Sequence, residues 1–133
     1  MTRTRDSIMA MTPEQLREAI AKAKGWRCIV VDHGDFSRTI WWDKPDGTSA
    51  PTLPDWPTNI ANAWELVDEI RASGCELRID TDRNGGGADI YSVAIMKFRG
   101  DGRGTGWTQV VEAEAPTAPF AISRCWLMWK EKE

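Results

Sequence analysis

Two glycine-rich links divide the second half of the chain into three alternating segments, and this spacing limits the possible folds more than any other feature. The segments at 75–82, 91–98 and 107–114 alternate apolar and polar residues, which is typical of strands with one buried face. The links read RNGGGAD and RGDGRGTG. Because glycine adopts positive φ angles at little steric cost, both links are predicted to be hairpin loops between antiparallel strands.

Capping residues predict where the first two helices begin and end. Thr12 and Gln15 have the spacing of a capping box, so a helix is predicted to follow Thr12 and to end at Gly25. A second helix is predicted at 59–72, with Thr58 as its candidate N-cap. The apolar residues of this second helix recur at the spacing of one buried face.

Two more strands and a last helix complete the predicted architecture. The segment 28–32 reads CIVVD, which predicts a short buried strand, and a returning strand is predicted at 39–43. Residues 44–52 are predicted to be a loop, and the last helix to begin near Thr117. The order is α-β-β-α-β-β-β-α, which lacks the repeated units of a doubly wound parallel sheet. We therefore expect an α+β fold, a layered helix–sheet–helix sandwich around a five-stranded, mainly antiparallel sheet.

Chain length predicts one domain. The 133 residues are enough to bury a core without disulfides or a metal, so residues 1–133 are predicted to fold as a single unit. Residues 1–11 are expected to be a flexible N-terminal arm. Residues 131–133 are expected to be a charged tail.

Charge and cysteine usage narrow the compartment and the partners. The net charge of -3 argues against general DNA binding, which depends on an excess of Lys and Arg. Cys28, Cys75 and Cys125 are odd in number and widely spaced, which predicts reduced, buried thiols. The N-terminal segment has no apolar run of the length of a signal peptide or membrane span. We therefore expect a cytoplasmic protein with no membrane partner.

Three stretches resemble a known family. They are 24–26 (KGW), 53–64 (LPDWPTNIANAW) and 117–127 (TAPFAISRCWL), and together they resemble the phage ABA sandwich domain family over nearly the whole chain. The resemblance implies a phage or prophage origin, the cytoplasm of a host bacterium, and a helix–sheet–helix fold. It implies no catalytic residues and no cofactor. The chain departs from the family in Trp56, where tyrosine is more usual, and in bulky aromatics such as Trp126.

Tryptophan is over-represented, with eight residues against one tyrosine and three phenylalanines. Trp64 falls on a helical stripe and is predicted to be core. Trp56 stands between Pro54 and Pro57, and Trp126 lies off the main stripe of its helix, so both are candidate exposed rings. A base stacked on such a ring gains about 1–3 kcal/mol. For Trp56, packing inside its own fold is the equally weighted alternative.

Two polar patterns in the glycine-rich half suggest ligands. Asp80, Asp82 and Asn84 match the first half of a calcium loop, but the glutamate expected at its twelfth position is missing, so a strand end before a turn is the favoured interpretation and no metal is predicted. Arg99 and Arg103 lie in the second link, which lacks the spacing of a phosphate loop. These two arginines are nevertheless candidates to meet an anion.

His33 is the only histidine and lies beside Asp32 and Asp35. A histidine next to carboxylates can act as a general base, but no Ser or Cys nucleophile can be assigned to it. A turn histidine is therefore the favoured interpretation. No catalytic residue is predicted, and a hydrolase is the least favoured function.

The leading functional hypothesis combines the phage resemblance with the candidate residues. Some small phage proteins counter bacterial immunity by sequestering nucleotide signals. A non-enzymatic, homo-oligomeric protein of this kind would stack Trp56 and Trp126 on a base and hold its phosphates with Arg99 and Arg103. The alternative is an inhibitor or interaction module that binds a host or phage protein.

Overall fold

The computed structural model describes residues 3–34, 36–83, 89–100 and 105–132. Their helices and strands form two sheets and four helices in an α+β fold. In chain order the elements are α1 (Arg5–Met9), α2 (Pro13–Ala23), β1 (Arg27–Asp32), β2 (Arg38–Asp43), β3 (Ser49–Ala50), α3 (Ile60–Ala72), β4 (Cys75–Arg83), β5 (Asp89–Gly100), β6 (Thr105–Ala115) and α4 (Ala118–Glu131).

The strands form two separate antiparallel sheets, with the orders β1-β2-β3 and β4-β5-β6. The α+β class and the antiparallel pairing of β4, β5 and β6 are confirmed. The single five-stranded sheet and the predicted helix order are wrong. Two short elements account for part of the difference: α1 lies inside the expected arm 1–11, and β3 lies inside the expected loop 44–52. Both are too short to show a hydrophobic period.

Local capping chemistry sets the helix ends. The hydroxyl of Thr12 accepts from the Gln15 N–H at 3.2 Å, and the Gln15 side chain accepts from the Thr12 N–H at 2.9 Å, which confirms the capping box. Gly25 and Gly74 follow α2 and α3 with φ of 86° and 93°, in the left-handed region that favours glycine. The N-cap of α3 is Asn59.

Thr58 was the predicted N-cap of α3, and the difference from Asn59 has a clear cause. The Thr58 hydroxyl donates to the carboxylate of Asp55, so it is already engaged. The Asn59 side chain instead accepts from two backbone N–H groups in the first turn of α3. An amide at this position satisfies donors that the helix itself leaves unpaired.

Helix α4 lies at the centre of the fold. It packs on β5 and β6 and also contacts α1, α2 and α3. The sheet contributes alternate buried residues such as Val93, Ile95 and Ala113, which share the face that meets α4. The opposite face carries charged side chains, including the ion pair between Arg78 and Asp80 at 2.9 Å. The described helices therefore cover one face of this sheet and not both.

The sheet β1-β2-β3 adds little to the core. Among its described residues only Trp42 is buried. The predicted burial of 28–32 is wrong, since Val30 is 52% exposed and faces Ile40, also 52% exposed, across the strand pair. β-branched residues favour strand geometry, but they do not decide whether another layer covers the strand.

Candidate functional site

Trp56 and Trp126 are buried, with exposed fractions of 1% and 0%. For Trp56 this burial agrees with the alternative of packing inside its own fold, and Trp126, the other candidate exposed ring, is not exposed; neither ring has a free face on which a base could stack. Trp56 meets the edge of the Trp26 ring at a centroid distance of 5.7 Å. Its loop is tied to α2 because the Arg17 guanidinium donates to the carbonyls of Leu53 and Pro54. The stiff loop thus holds an aromatic plug in the core.

Two lysines cover these buried rings. The Lys24 ammonium lies 5.7 Å from the Trp56 ring centroid and 5.0 Å from that of Trp126, and the Lys130 ammonium lies 5.9 Å from Trp126. Glu69 joins them, with oxygens 2.7 Å from Lys24 and 3.4 Å from Lys130. Cations over ring faces are attracted by the ring quadrupole. We call these five residues the tryptophan–lysine cluster.

The electrostatics of the cluster are dominated by Glu69. Burial alone would raise its pKa, but the hydrogen bond and charge of Lys24 outweigh that effect, with help from Lys130, so the pKa of Glu69 is lowered from its ordinary value. The carboxylate is therefore held in its charged form. The charges of Lys24, Lys130 and Glu69 are therefore engaged within the cluster, whereas the buried indole N–H groups of Trp56 and Trp126 have no hydrogen-bond partner among the described residues.

The candidate phosphate-binding arginines and the residues of the disfavoured calcium pattern fall largely outside the described residues. Arg103 and Asn84 lie outside them, as do the side chains of Arg99 and Asp82. Their proposed contacts therefore stay predictions. The side chain of Asp80 forms an ion pair with an arginine of its own strand. Within the described ranges, no group of three or more His, Cys, Asp or Glu residues could hold a metal ion.

His33 lies in an exposed turn between β1 and β2. Its Nε2 is 2.8 Å from the Thr39 hydroxyl, and the neighbouring Gly34 N–H donates to the Asp32 carboxylate at 2.9 Å. His33 and Thr39 are both exposed. This geometry agrees with a turn histidine. Asp35 lies outside the described residues.

The three cysteines occupy different environments. Cys125 is buried, its thiol donates to the Val93 carbonyl at 3.4 Å, and burial raises its pKa to about 12. Cys28 is exposed on β1 and Cys75 is half-buried. The expectation of three buried thiols is therefore wrong for Cys28, for the same reason that β1 is not covered.

A cleft of about 410 Å³ lies between α1, the C-terminal end of α4 and the edge strand β6. Its floor is apolar and closely packed: Ile8 is 1% exposed, Met128 is 6% and Val111 is 7%. Its rim is polar and mostly charged. The remaining lining residues are Arg3, Arg5, Gln109, Val110, Glu112, Glu131 and Lys132.

The cations of the rim differ in how they are engaged. Arg3 pairs with Glu131 at 2.7 Å, and the Lys132 ammonium donates to the Val110 carbonyl at 2.8 Å. The exposed guanidinium of Arg5 forms no hydrogen bond or ion pair with any residue that the structure describes. Three cations against the carboxylates of Glu112 and Glu131 leave the rim one positive charge in excess. The cleft therefore favours an anion at its mouth.

A β-bulge shapes the β6 side of this cleft. Ile95 faces Val111 while the next residue, Met96, faces Gln109, so Val110 has no partner across the pair. A bulge bends its strand and redirects side chains at a sheet edge. Here it turns the Val110 carbonyl outward to Lys132, which occupies the open edge of the sheet at that point.

The sequence does not predict this cleft, because residues 1–11 are expected to be a flexible arm and α1 lies within them. One signal was present. Thr4 caps α1 by accepting from the Ser7 N–H at 3.1 Å, and Ile8 follows at the spacing that turns it towards the core. The pairing of these residues with the last turn of α4 cannot be inferred from sequence, since the Arg3–Glu131 bond joins residues 128 positions apart.

Comparison of the chain with family models, with curated proteins and with solved structures gives no match. The resemblance to the phage ABA sandwich domain family therefore stays a prediction that depends on the three stretches quoted above. Of the helices in the described ranges, none combines the length and the apolar character needed to cross a membrane.

Proposed function

We propose that the protein is a non-enzymatic binding protein for a small anionic ligand and that the cleft between α1, α4 and β6 is its site. The observation that supports this most directly is the Arg5 guanidinium, which has no partner among the described residues and stands at the rim of an apolar-floored cleft. Ligand sites commonly have volumes of about 300–1,000 Å³, apolar walls and a few placed polar groups. The cleft meets the volume condition and has an apolar floor, whereas six of its ten lining residues are polar or charged.

The ligand class that we favour is a nucleotide, in keeping with sequestration of a nucleotide immune signal. A guanidinium presents paired donors that match phosphate oxygens, and a lysine adds a compact positive charge. Arg5 can take a phosphate without breaking an existing pair, and Arg3 can share its donors between Glu131 and a ligand. The aliphatic floor leaves little exposed surface, so its contact with a base would add little to binding.

None of the described residues that line the cleft is aromatic. Without a stacked ring, binding should depend on charge more than on contact with the base. Because the rim is open to solvent, salt should screen it. We therefore expect affinity for any nucleotide to fall when the salt concentration rises from about 0.05 M to about 0.5 M.

Isothermal titration calorimetry can test this function with a panel of mononucleotides, cyclic mononucleotides and cyclic dinucleotides. Arg5→Gln should weaken binding at least about tenfold, the loss expected for one charge-assisted contact of about 1.5 kcal/mol. Arg38→Gln is the matched control, since it removes the same charge from an exposed arginine on β2. No heat from any member of the panel, or equal losses in the two variants, would reject the proposal.

A second candidate function, a protein interaction module, is supported by a different surface. Phe98 and Trp107 face each other across β5 and β6, are 50% and 53% exposed, and meet edge to face at 5.3 Å. Aromatic residues dominate the binding energy of many interfaces. If this pair anchors a partner protein, Trp107→Ser should abolish its capture, whereas Trp64→Ser, at a ring that is 47% exposed on α3, should not. Equal capture by both variants would exclude this surface.

A further inference from the structure

Strand β1 has an unusual combination of an open edge and exposed apolar side chains. It is the outer strand of its sheet, and among the described strands it pairs with β2 alone. Its central residues are Ile29, Val30 and Val31, and the two valines are 52% and 37% exposed. A flat, apolar strand with a free edge is a template for pairing with another strand. The bulge and lysine that protect β6 have no counterpart in the described pairing of β1.

The register identifies the backbone groups that are free. The His33 N–H donates to the Ser37 carbonyl at 3.1 Å, in the same register that pairs Asp32 with Arg38. Antiparallel strands exchange hydrogen bonds at every second residue. The odd-numbered residues of β1 therefore bond to β2, and the N–H and C=O groups of Cys28, Val30 and Asp32 point away from it.

We propose that two copies of this chain pair antiparallel through β1, about a two-fold axis that passes between Val30 and the partner's Val30. This register places all three outward-pointing residues opposite one another: Val30 opposite itself, and Cys28 opposite the partner's Asp32. A two-fold axis through Cys28 or Asp32 would use fewer of these groups. The result is one continuous six-stranded sheet in place of two separate three-stranded ones.

Charge and side-chain chemistry both fit a second copy of the chain. Arg27 and Asp32 stand at opposite ends of β1, so antiparallel pairing brings the basic end of each copy against the acidic end of the other. A parallel arrangement would align like charges. On one face, Ile40 and Val30 of the two copies form a row of four apolar residues, because these two side chains already face each other within the chain. On the other face, Ile29 meets the partner's Val31.

Dimerisation would also stabilise the sheet β1-β2-β3, which has one buried residue among those described. Two- and three-stranded ribbons without a covered face are marginal by themselves. Pairing would cover apolar groups on both faces and satisfy backbone donors that otherwise depend on water. The β1 interface includes none of the residues that line the cleft. The dimer can therefore be tested independently of the proposed ligand.

Size-exclusion chromatography with light scattering provides the first test. The chain has a mass of 15.0 kDa, and we expect a species of twice that mass at micromolar concentrations. Val30→Pro removes the outward N–H but no hydrogen bond to β2, and proline is tolerated on edge strands, so this variant should be a folded monomer. A wild-type chain that is monomeric at about 0.5 mM, a concentration at which even a weak interface is populated, would overturn the proposal. A Val30→Pro variant that stays dimeric would overturn it too.

Disulfide trapping tests the register itself. In a Cys28→Ser, Cys75→Ser background, Val30→Cys should form an interchain disulfide under mild oxidation, because directly opposite residues of a hydrogen-bonded pair have Cα atoms about 5.5 Å apart, within disulfide range. Ile40→Cys is the matched control, since Val30 and Ile40 are equally exposed at 52%. Its Cα would be about 14 Å from its counterpart, three strand spacings away. Equal trapping, or faster trapping through Ile40→Cys, would overturn the edge-to-edge arrangement.

Discussion

Truncation of Trp56 to alanine should be among the most destabilising single changes in the chain. The ring is 1% exposed. A buried tryptophan removes about 150–250 Å² from water, which at about 25 cal/mol per Å² corresponds to about 4–6 kcal/mol. Unfolded chains already bury part of that area, and measured losses for such truncations are about 3–5 kcal/mol. The edge contact to Trp26 and the Lys24 ammonium at 5.7 Å are lost as well. We expect the free energy of unfolding to fall by about 4 kcal/mol.

Urea unfolding followed by far-ultraviolet circular dichroism measures this loss without depending on tryptophan fluorescence. Trp64→Ala is the control, because its ring is 47% exposed and its removal should cost about 1 kcal/mol or less. If Trp56→Ala leaves no folded protein, Trp56→Phe should retain a measurable transition with a loss of about 1–3 kcal/mol. A loss at Trp56 no larger than the loss at Trp64 would refute its role as a core residue.

Three further outcomes follow from the geometry. Glu69→Gln should lower the free energy of unfolding by about 1 kcal/mol at neutral pH. Because pairing lowers the pKa of Glu69 from its ordinary value of 4.5, the stabilisation is complete above pH 4.5 and is lost as the pH falls through the folded-state pKa. Urea melts in which the variant and the wild type differ as much at about pH 3 as at neutral pH would contradict this prediction. Gly25→Ala should lower the free energy of unfolding by about 2 kcal/mol, because φ is 86° and the new Cβ would lie 3.1 Å from a proline ring. Gly74→Ala, whose Cβ would meet no neighbour, should lower it by about half as much. Equal losses in thermal melts would show that the contact with the proline ring adds nothing. A thiol reagent should label the exposed Cys28 at once but Cys125 only after unfolding, since burial raises the pKa of Cys125 to about 12. Rapid labelling of Cys125 in the folded protein would show that α4 is not packed as described.

The sequence correctly predicted the structural features that depend on residues close together in the chain. The capping box at Thr12, the left-handed glycine at Gly25 and the hairpin pairing of β4, β5 and β6 all arise from chemistry within a few positions of the chain. Backbone dihedral preferences and hydrogen-bond donors act at this range, so pattern and propensity suffice to read them. The α+β class follows from the number and spacing of these elements.

Burial could not be read in the same way. Trp56 and Trp64 belong to one stretch of the sequence, yet the loop residue is a core plug and the helix residue is half exposed. Trp126 lies off the main stripe of α4, but it is buried because α4 is in contact with two strands, β5 and β6, and with three helices. A helix that is apolar on more than one side signals such enclosure, and this signal was available in the sequence.

The cleft depended entirely on the tertiary structure. Its cations and carboxylates lie in or next to α1, β6 and α4, and the Arg3–Glu131 pair joins opposite ends of the chain. The exposure of β1 has a similar origin, since a CIVVD segment is compatible with a covered strand or an edge strand. By itself the sequence determined the local backbone and the fold class. Only packing between distant elements decided which rings are buried and which cations are free. The reason is that burial depends on which surfaces of the folded chain come into contact and not on which residues are neighbours in the sequence.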